Sequence, residues 1–148
     1  MKTLKLYVAG AWVEQHSRAR VYIAKLRTAG IEITCDWTVA EGTSNASSDA
    51  NLSGTDRLKF ALDDLDGVLK ADLVWLLAAN DKGACGSWVE LGAALAIKRV
   101  KHERPGTYPL TVVSGPKHKR TIFTEYADKL FATDDGALEW IVQYARGR

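Results

Sequence analysis

The chain has 148 residues, enough for one domain, spanning residues 1–148, whose core needs neither metal nor disulfide. Its 20 basic and 18 acidic residues leave a formal charge of +2, which is too balanced for general binding to a nucleic-acid polymer or an acidic membrane. Two cysteines without metal-ligand spacing, no stretch of transmembrane length and no room for a signal peptide predict a cytoplasmic protein with reduced thiols.

The N-terminal part of the chain predicts a strand-helix-strand unit. Residues 4–9 form a short apolar run that ends at Gly10, which is typical of a buried strand followed by a turn. Residues 15–28 carry apolar side chains at helical spacing before Gly30, and residues 31–35 predict a second strand. This order implies two parallel strands joined by a right-handed crossover.

Residues 38–55 predict a mobile loop after the second strand. They are rich in Gly, Ser, Ala, Asn and Asp and follow no hydrophobic period. Such a composition buries too little apolar area to offset the entropy of ordering, and a connection of about 18 residues is unusually long for a compact domain. We therefore expect a lid, a binding loop or a disordered segment there.

A helix predicted over residues 56–71 has one apolar stripe that should face the core. The stripe consists of Leu58, Ala61, Leu62, Leu65, Val68 and Leu69. Most charged residues of this helix fall on the opposite face. Asp64 does not, because it flanks the stripe, on the side shared with Arg57, where a side chain can reach past the sheet edge.

The rest of the chain continues to alternate strands with helices. Residues 72–79 are the most apolar strand and the best candidate for the centre of the sheet. A helix follows within the stretch 83–100, then strands at 110–114 and 129–132, and a closing helix at 134–144. This pattern predicts an α/β fold: a doubly wound, mostly parallel five-stranded sheet with helices on both faces, flavodoxin- or Rossmann-like, that binds ligands at the carboxyl ends of its strands.

The stretch 83–100 carries an acid with two competing interpretations. Glycines lead into an almost wholly apolar helix that should be buried on most sides, with Glu90 as the single carboxylate of its first turn. The amide groups and positive dipole end there favour an ionised acid beside a roomy glycine turn, which suits a nucleophile. Ser87 and Glu90 also fit a capping box, in which the glutamate only folds back onto the N–H of a capping serine.

The carboxyl edge of the predicted sheet is rich in carboxylates and aromatic rings. It collects Gly10, Trp12, Asp36, Trp37, residues 80–86 and residues 114–116. No phosphate-binding glycine motif and no zinc spacing among the histidines is present, so neither a cofactor nor a metal is expected. Cys35 and Cys85 have no nearby histidine motif and are expected to be small buried residues.

Carboxylates beside aromatic rings suit chemistry at the anomeric carbon of a sugar. One carboxylate attacks C1′ through an oxocarbenium-like transition state while a second acid protonates the leaving group. A nucleobase leaves well once it is protonated, and aromatic rings hold it flat. The composition is compatible with this mechanism without requiring it.

Three blocks of the chain carry a family resemblance. They are residues 6–12 (LYVAGAW), residues 64–72 (DLDGVLKAD) and residues 86–94 (GSWVELGAA). In order and spacing they resemble the nucleoside 2-deoxyribosyltransferase family, which includes the 2′-deoxynucleoside 5′-phosphate N-hydrolases. The resemblance runs from about Lys5 to Val100, whereas residues 115–123 match only loosely.

The resemblance implies a role for three residues. Glu90 stands in the place of the family's nucleophile, in its E-[LI]-G motif, and Asp64 stands eight residues before the Asp of the A-D pair, where the family has its acid or substrate-orienting aspartate. Tyr7 corresponds to the tyrosine that hydrogen-bonds the nucleophile. Trp12 and Trp37 are candidates for base contacts, with core packing as the alternative. The predicted substrate-binding residues are Gly10, Trp12, Asp36, Trp37, Gly86 and Ser87.

The function implied is cleavage of the N-glycosidic bond of a 2′-deoxynucleoside through a covalent glycosyl-glutamate, with transfer of the sugar to another base or to water. One alternative is a hydrolase of deoxynucleoside 5′-monophosphates, although Glu14 would repel a phosphate; Ser17, Arg18, Arg20 and Ser87 are its possible ligands. Another is a non-catalytic nucleotide-sensing module. The resemblance also implies a homodimer or larger homo-oligomer whose site is completed by the neighbouring subunit, with residues 120–123 as the donated segment.

Overall fold

The computed structural model, which describes residues 2–11, 18–39, 52–79 and 85–148, contains five strands and four α-helices in these ranges. The strands are β1 (Lys5–Ala9), β2 (Glu32–Ile33), β3 (Leu73–Leu77), β4 (Leu110–Ser114) and β5 (Lys129–Phe131). The helices are α1 (Arg20–Thr28), α2 (Gly54–Lys70), α3 (Cys85–Val100) and α4 (Asp134–Arg146).

All strand pairs are parallel, and the strand order is β2-β1-β3-β4-β5. This is the doubly wound, flavodoxin-like order, so the predicted fold class is confirmed. Helix α2 packs beside α3, and α1 packs beside α4. Right-handed crossovers place these two pairs on opposite faces of the sheet.

Strand β3 lies at the centre of the sheet, as its apolar sequence predicts. All five of its residues are buried, and it pairs with β1 on one side and β4 on the other. A central parallel strand is covered on both faces by helices, so each side chain must be apolar or must have its polar atoms hydrogen-bonded within the protein. Trp75 meets this requirement because its indole Nε1 donates a hydrogen bond to Ser114 Oγ at 2.9 Å.

Helix α2 is rolled away from the orientation that its apolar stripe predicts. Leu58, Leu62 and Leu69 are 61%, 55% and 65% exposed, so the stripe is not a core stripe within a single chain, and that prediction is wrong. The face turned inward instead carries Gly67 and Val68, which are buried, with Asp64 half-buried on the preceding turn. A tight backbone contact, rather than the widest apolar face, therefore sets the roll of this helix.

That tight contact is made at Gly67. A Cβ added there would lie 2.7 Å from Cys35 Cβ and 2.8 Å from Tyr7 Cδ2. Real Cβ atoms do not approach other carbon atoms so closely, so only glycine lets the helix backbone rest on these two side chains. The contact brings α2 directly over β1 and the end of β2.

Helix α3 begins earlier than predicted and is less buried. It begins at Cys85, so Ser87 lies inside the first turn rather than at the N-cap, and Glu90 lies in the second turn. The capping-box interpretation is therefore wrong, and so is the placement of Glu90 in the first turn. Val89 and Val100 are 63% and 82% exposed, because α3 lies in an outer layer with one face open to solvent in a single chain.

Most of the remaining boundaries differ from the predictions by one or two residues. Helix α1 covers Arg20–Thr28 against the predicted 15–28, of which residues 15–17 lie outside the described residues. Strand β2 has only two residues, Glu32 and Ile33, against the predicted 31–35, and Trp37–Val39 form a 3-10 turn in which Thr38 is buried. The predicted loop 38–55 is therefore ordered at its start, and its end belongs to α2; its residues 40–51 lie outside the described residues. In the described ranges, no helix has the length and apolar character needed to cross a membrane.

Gly67→Ala should lower the free energy of unfolding by about 1–3 kcal/mol, since the added methyl group must push α2 away from Tyr7 and Cys35. Urea denaturation would measure the change. Gly54→Ala, on the same helix but with nothing within 4 Å of the added Cβ, is the matched control and should leave stability equal or slightly higher. Equal stability of the two variants would contradict the assigned contact.

Candidate active site

Three elements bring the predicted catalytic residues into one electrostatic cluster. Tyr7 comes from the middle of β1, Asp64 from α2 and Glu90 from α3. The Asp64 carboxylate raises the pKa values of both Tyr7 and Glu90, and the Tyr7 hydroxyl interacts with both carboxyls. Residues distant in sequence thus meet between the sheet and the α2–α3 layer.

One oxygen of the Glu90 carboxyl is enclosed without a hydrogen-bond partner among the described residues. The residue as a whole is half-buried, but its Oε2 atom is fully enclosed and has no hydrogen-bond partner among the described residues. Burial, and then the neighbouring Asp64 charge, raise the pKa of Glu90 well above its ordinary value, while the Tyr7 hydroxyl opposes this. An unsatisfied buried carboxyl is costly to a fold, so such groups are typical of functional sites.

Tyr7 places a neutral phenol beside these acids. Its side chain is fully buried, and its hydroxyl makes no hydrogen bond of ordinary geometry with the described residues. Burial and the charges of Glu90 and Asp64 raise the pKa of Tyr7 well above its ordinary value, so the hydroxyl keeps its proton. It nonetheless lies close enough to both carboxyls to lower their pKa values, as a hydrogen-bond donor does.

Asp64 carries a proton in an unusual pH range. Burial raises the pKa of its carboxyl to about 6, against the lowering effects of Cys35 and Tyr7 and with a small raising effect of Asp63. Because Glu90 is also raised, the two carboxyls behave as a coupled pair that holds a proton near neutral pH. One acid and one carboxylate in a shared site is the arrangement that glycosidic bond cleavage requires.

Two of the predicted substrate-binding residues serve the fold. Trp37 is 7% exposed, and its Nε1 donates a 2.8 Å hydrogen bond to the Val8 carbonyl. Gly10 lies against this ring, since an added Cβ would come within 3.2 Å of Trp37 Cζ2. The structure thus favours core packing over base contact for Trp37. Trp12 lies outside the described residues.

Asp36 is engaged in local contacts. Its Oδ1 accepts hydrogen bonds from Thr38 N at 3.1 Å and Thr38 Oγ1 at 2.6 Å, and its Oδ2 pairs with Arg27 Nη1 at 2.7 Å. A substrate would have to displace one of these partners. The visible role of Asp36 is to begin the 3-10 turn and to pair with Arg27.

The start of α3 brings together Gly86, Ser87 and Trp88. Gly86 is exposed with open space around it, whereas the Ser87 side chain is turned inward and is 2% exposed. Trp88 is a residue that the sequence interpretation did not single out. Its Nε1 donates a 3.1 Å hydrogen bond to Ala79 O, and its ring packs on Ala79 and Ala11, which follow the carboxyl ends of β3 and β1.

Cys35 is the second residue missed by sequence reasoning. The prediction of two small buried cysteines is wrong, because Cys85 is exposed and Cys35 is only half-buried. The Cys35 thiol donates to Asp64 Oδ1 with an Sγ–Oδ1 distance of 3.5 Å. No motif marks this contact, because the two residues belong to different elements and meet only through the packing of α2.

Arg18 belongs to a polar network beyond the end of β3. Its Nε and Nη2 bind the two oxygens of Asp134 at 2.6 and 2.9 Å, and its Nη1 donates to Ala78 O at 3.2 Å. Ser114 Oγ donates to Asp134 Oδ1 at 2.5 Å. The charge of Arg18 is therefore already matched by a bidentate carboxylate, which a phosphate would have to replace.

The chain offers no further guide to its family. Among the residues that the structure describes, no group of three or more His, Cys, Asp or Glu side chains could hold a metal ion. No protein-family model matches the chain, and no curated protein matches it. The function of this protein must therefore be inferred from the residues of the site.

Asp64→Asn should raise stability at neutral pH and not at acid pH. A carboxyl whose folded pKa of about 6 exceeds its ordinary value of 3.8 stabilises the fold while protonated, and this contribution is lost between about pH 4 and pH 6. The amide stays uncharged, so the variant should be more stable than the parent by up to about 3 kcal/mol at pH 7, since one pKa unit corresponds to about 1.4 kcal/mol. Urea denaturation from pH 4 to pH 8 would measure this.

The matched control for that experiment is Asp66→Asn. Asp66 is exposed on the same helix and pairs with Lys70 at 3.2 Å. Its loss should cost about 0.5 kcal/mol or less, with no gain at neutral pH. A stability difference between Asp64→Asn and the parent that stays constant across the whole pH range would contradict the raised pKa of Asp64.

Proposed function

We propose that the protein is an enzyme that cleaves the N-glycosidic bond of 2′-deoxynucleosides and transfers the deoxyribosyl group to another nucleobase or to water. The observation that carries the proposal is the enclosed Glu90 carboxyl, which has no hydrogen-bond partner on Oε2 among the described residues and is coupled to Asp64 and Tyr7. The residues belong to the blocks that resemble the deoxyribosyltransferase family. No cofactor takes part.

In the proposed first step, the proton shared by the two acids passes to Asp64, so that ionised Glu90 attacks C1′ of the sugar. The C1′–N bond breaks as Asp64 donates its proton to the departing base, leaving the sugar bound to Glu90 as an ester. In the second step, a ring nitrogen of the incoming base, or a water molecule, attacks C1′ and releases Glu90, while Asp64 takes up the proton of the attacking group. Tyr7 supports the reaction as a neutral donor that stabilises the carboxylates.

The position of Glu90 in α3 supports a chemical role over capping. The helix begins at Cys85, five residues earlier, so Glu90 is not the N3 partner of a capping Ser87. With no cap to make and no cation in contact among the described residues, Glu90 has no visible structural reason to be enclosed. Reaction with a substrate accounts for the enclosed Glu90 carboxyl.

The Arg18 network favours substrates without a 5′-phosphate. Arg18 was one of four residues expected to bind a phosphate in the alternative hydrolase, and it is held by Asp134. Chromatographic profiling with free deoxynucleosides, their 5′-monophosphates and a second base separates the hypotheses. Transfer gives a new nucleoside, hydrolysis gives free sugar, and a non-catalytic sensing module binds nucleotides without turnover.

We also propose that the protein works as a homo-oligomer in the cytoplasm, where its two cysteines stay reduced. The outer side of the α2–α3 layer exposes large apolar side chains that no part of the described chain covers, and a second copy would cover them. They are Leu58, Leu62, Leu69, Val89 and Val100. Ile122 and Phe123, 82% and 66% exposed, lie in the segment expected to complete a neighbouring site.

Glu90→Gln should lower turnover by several orders of magnitude while the fold survives, because an amide cannot form the glycosyl ester. Asp64→Asn should be milder, by about 10²- to 10⁴-fold, as is typical for loss of a proton donor. A deoxynucleoside with fluorine at C2′ should leave its sugar on Glu90, and peptide mass spectrometry would detect the adduct.

Glu139→Gln is the control for the nucleophile test. Glu139 is exposed on α4, where it accepts a hydrogen bond from Gln143, so its loss should leave turnover intact. Full activity of Glu90→Gln together with an unlabelled Glu90 peptide would refute the mechanism. A label on another acid would move the nucleophile to that residue.

Leu62→Asp should convert the oligomer to monomers, because it places a charge in the apolar surface of α2 that a second copy would bury. Light scattering coupled to size exclusion would measure the mass. Val21→Asp is the matched control, since Val21 is 49% exposed on α1, on the opposite face of the sheet, and its substitution should leave the mass unchanged. A monomeric parent protein would contradict the proposed assembly.

A further inference from the structure

We propose that Cys35 is a positioning residue, whose thiol holds the Asp64 carboxyl in the orientation needed to deliver its proton to the substrate. The contact that carries the inference is the Cys35 Sγ to Asp64 Oδ1 hydrogen bond of 3.5 Å. The reaction in which Asp64 acts is the one proposed above, so the role in catalysis rests on that function. The hydrogen bond itself does not.

The position of the thiol is fixed by its surroundings. Thr34, the residue before Cys35, donates from Oγ1 to the Gly67 carbonyl at 2.8 Å, which ties the end of β2 to α2. An added Cβ at Gly67 would lie 2.7 Å from Cys35 Cβ, so the helix backbone rests directly on the cysteine. Asp64 is three residues before Gly67 and thus on the same face of the helix, above the thiol.

The thiol is a permanent donor in this place. Burial, and then the charge and hydrogen bond of Asp64, raise the pKa of Cys35 to about 12, so the sulfur keeps its proton throughout the working pH range. A neutral thiol in contact with a carboxylate is a weak donor that stabilises the ionised acid. Cys35 therefore lowers the pKa of Asp64, whereas burial raises it.

Titratable side chains face the Asp64 carboxyl from the elements packed against it. Tyr7 faces it from β1 as a second donor, Cys35 from the segment after β2, Glu90 from α3 as a second acid, and Asp63 from its own helix as a like charge. With both donors present, the acid keeps a pKa near neutral pH, where it both holds and releases a proton. Removing the thiol should raise the pKa of Asp64 and allow its carboxyl to adopt other orientations.

The test compares Cys35→Ala, which removes the donor, with Cys35→Ser, which keeps one. The carboxyl pKa of Asp64 is followed by carbon NMR of the labelled, substrate-free protein, and kcat and KM are measured against pH. In Cys35→Ala we expect the Asp64 pKa to rise by about half a unit to one unit, the worth of one hydrogen bond. The alkaline limb of the pH profile should move up with it, and kcat should fall several-fold with KM nearly unchanged.

Cys35→Ser should restore the Asp64 pKa and most of kcat, which a merely space-filling role would not predict. Cys85→Ser, at the exposed cysteine, is the thiol control and should leave the Asp64 pKa unchanged. The inference is overturned if the Asp64 pKa is the same in Cys35→Ala as in the parent, or if serine behaves as alanine does. If Cys35→Ala does not fold, the comparison of Cys35→Ser with the parent decides, since a hydroxyl that donates must hold the pKa at or below its parent value.

The two readouts separate this inference from the proposed function. If the parent protein turns over no deoxynucleoside but the Asp64 pKa shifts in Cys35→Ala, the positioning contact is supported and the proposed reaction is refuted. If the parent is active but the Asp64 pKa does not respond to Cys35→Ala, the reaction is supported and the positioning role is refuted.

Discussion

The close contact of α2 with β1 and the end of β2 at Gly67 is the constraint on which the site depends. Because glycine has no side chain, the helix backbone reaches the Tyr7 ring and Cys35 directly. This approach places Asp64 over the thiol and beside Tyr7, and it turns the leucines of the helix outward. Packing density therefore decides both the geometry of the acids and the apolar outer surface of α2.

The cluster holds acidic groups at a cost to stability. Burial raises the pKa values of Asp64 and Glu90, and no cation among the described residues compensates them. In the described ranges, the donors that face the pair are neutral: the Tyr7 hydroxyl and the Cys35 thiol. A fold that keeps two acids in this way retains one proton near neutral pH, which is unfavourable for stability at high pH and favourable for acid-base chemistry.

The Arg18–Asp134 pair, beyond the end of β3, shows how other ionic groups of the chain are satisfied. Arg18 and Asp134 meet in a bidentate pair, with Ser114 and a backbone carbonyl satisfying the remaining groups. Every charge there has its counterpart. Glu90 has none on Oε2 among the described residues, and that difference is the physical basis for assigning it a chemical role.

Local sequence patterns were enough to predict the order of the elements, the parallel sheet and its most apolar central strand, because hydrophobic period and turn residues act locally. Glu90, Asp64 and Tyr7 were marked by their places in the blocks that resemble the deoxyribosyltransferase family. Only the tertiary structure decided the roll of α2, the placement of Glu90 in the second turn of α3, and the partnership of Cys35 with Asp64. These depend on which surfaces fit against each other across distant parts of the chain, and local sequence patterns carry no record of that fit.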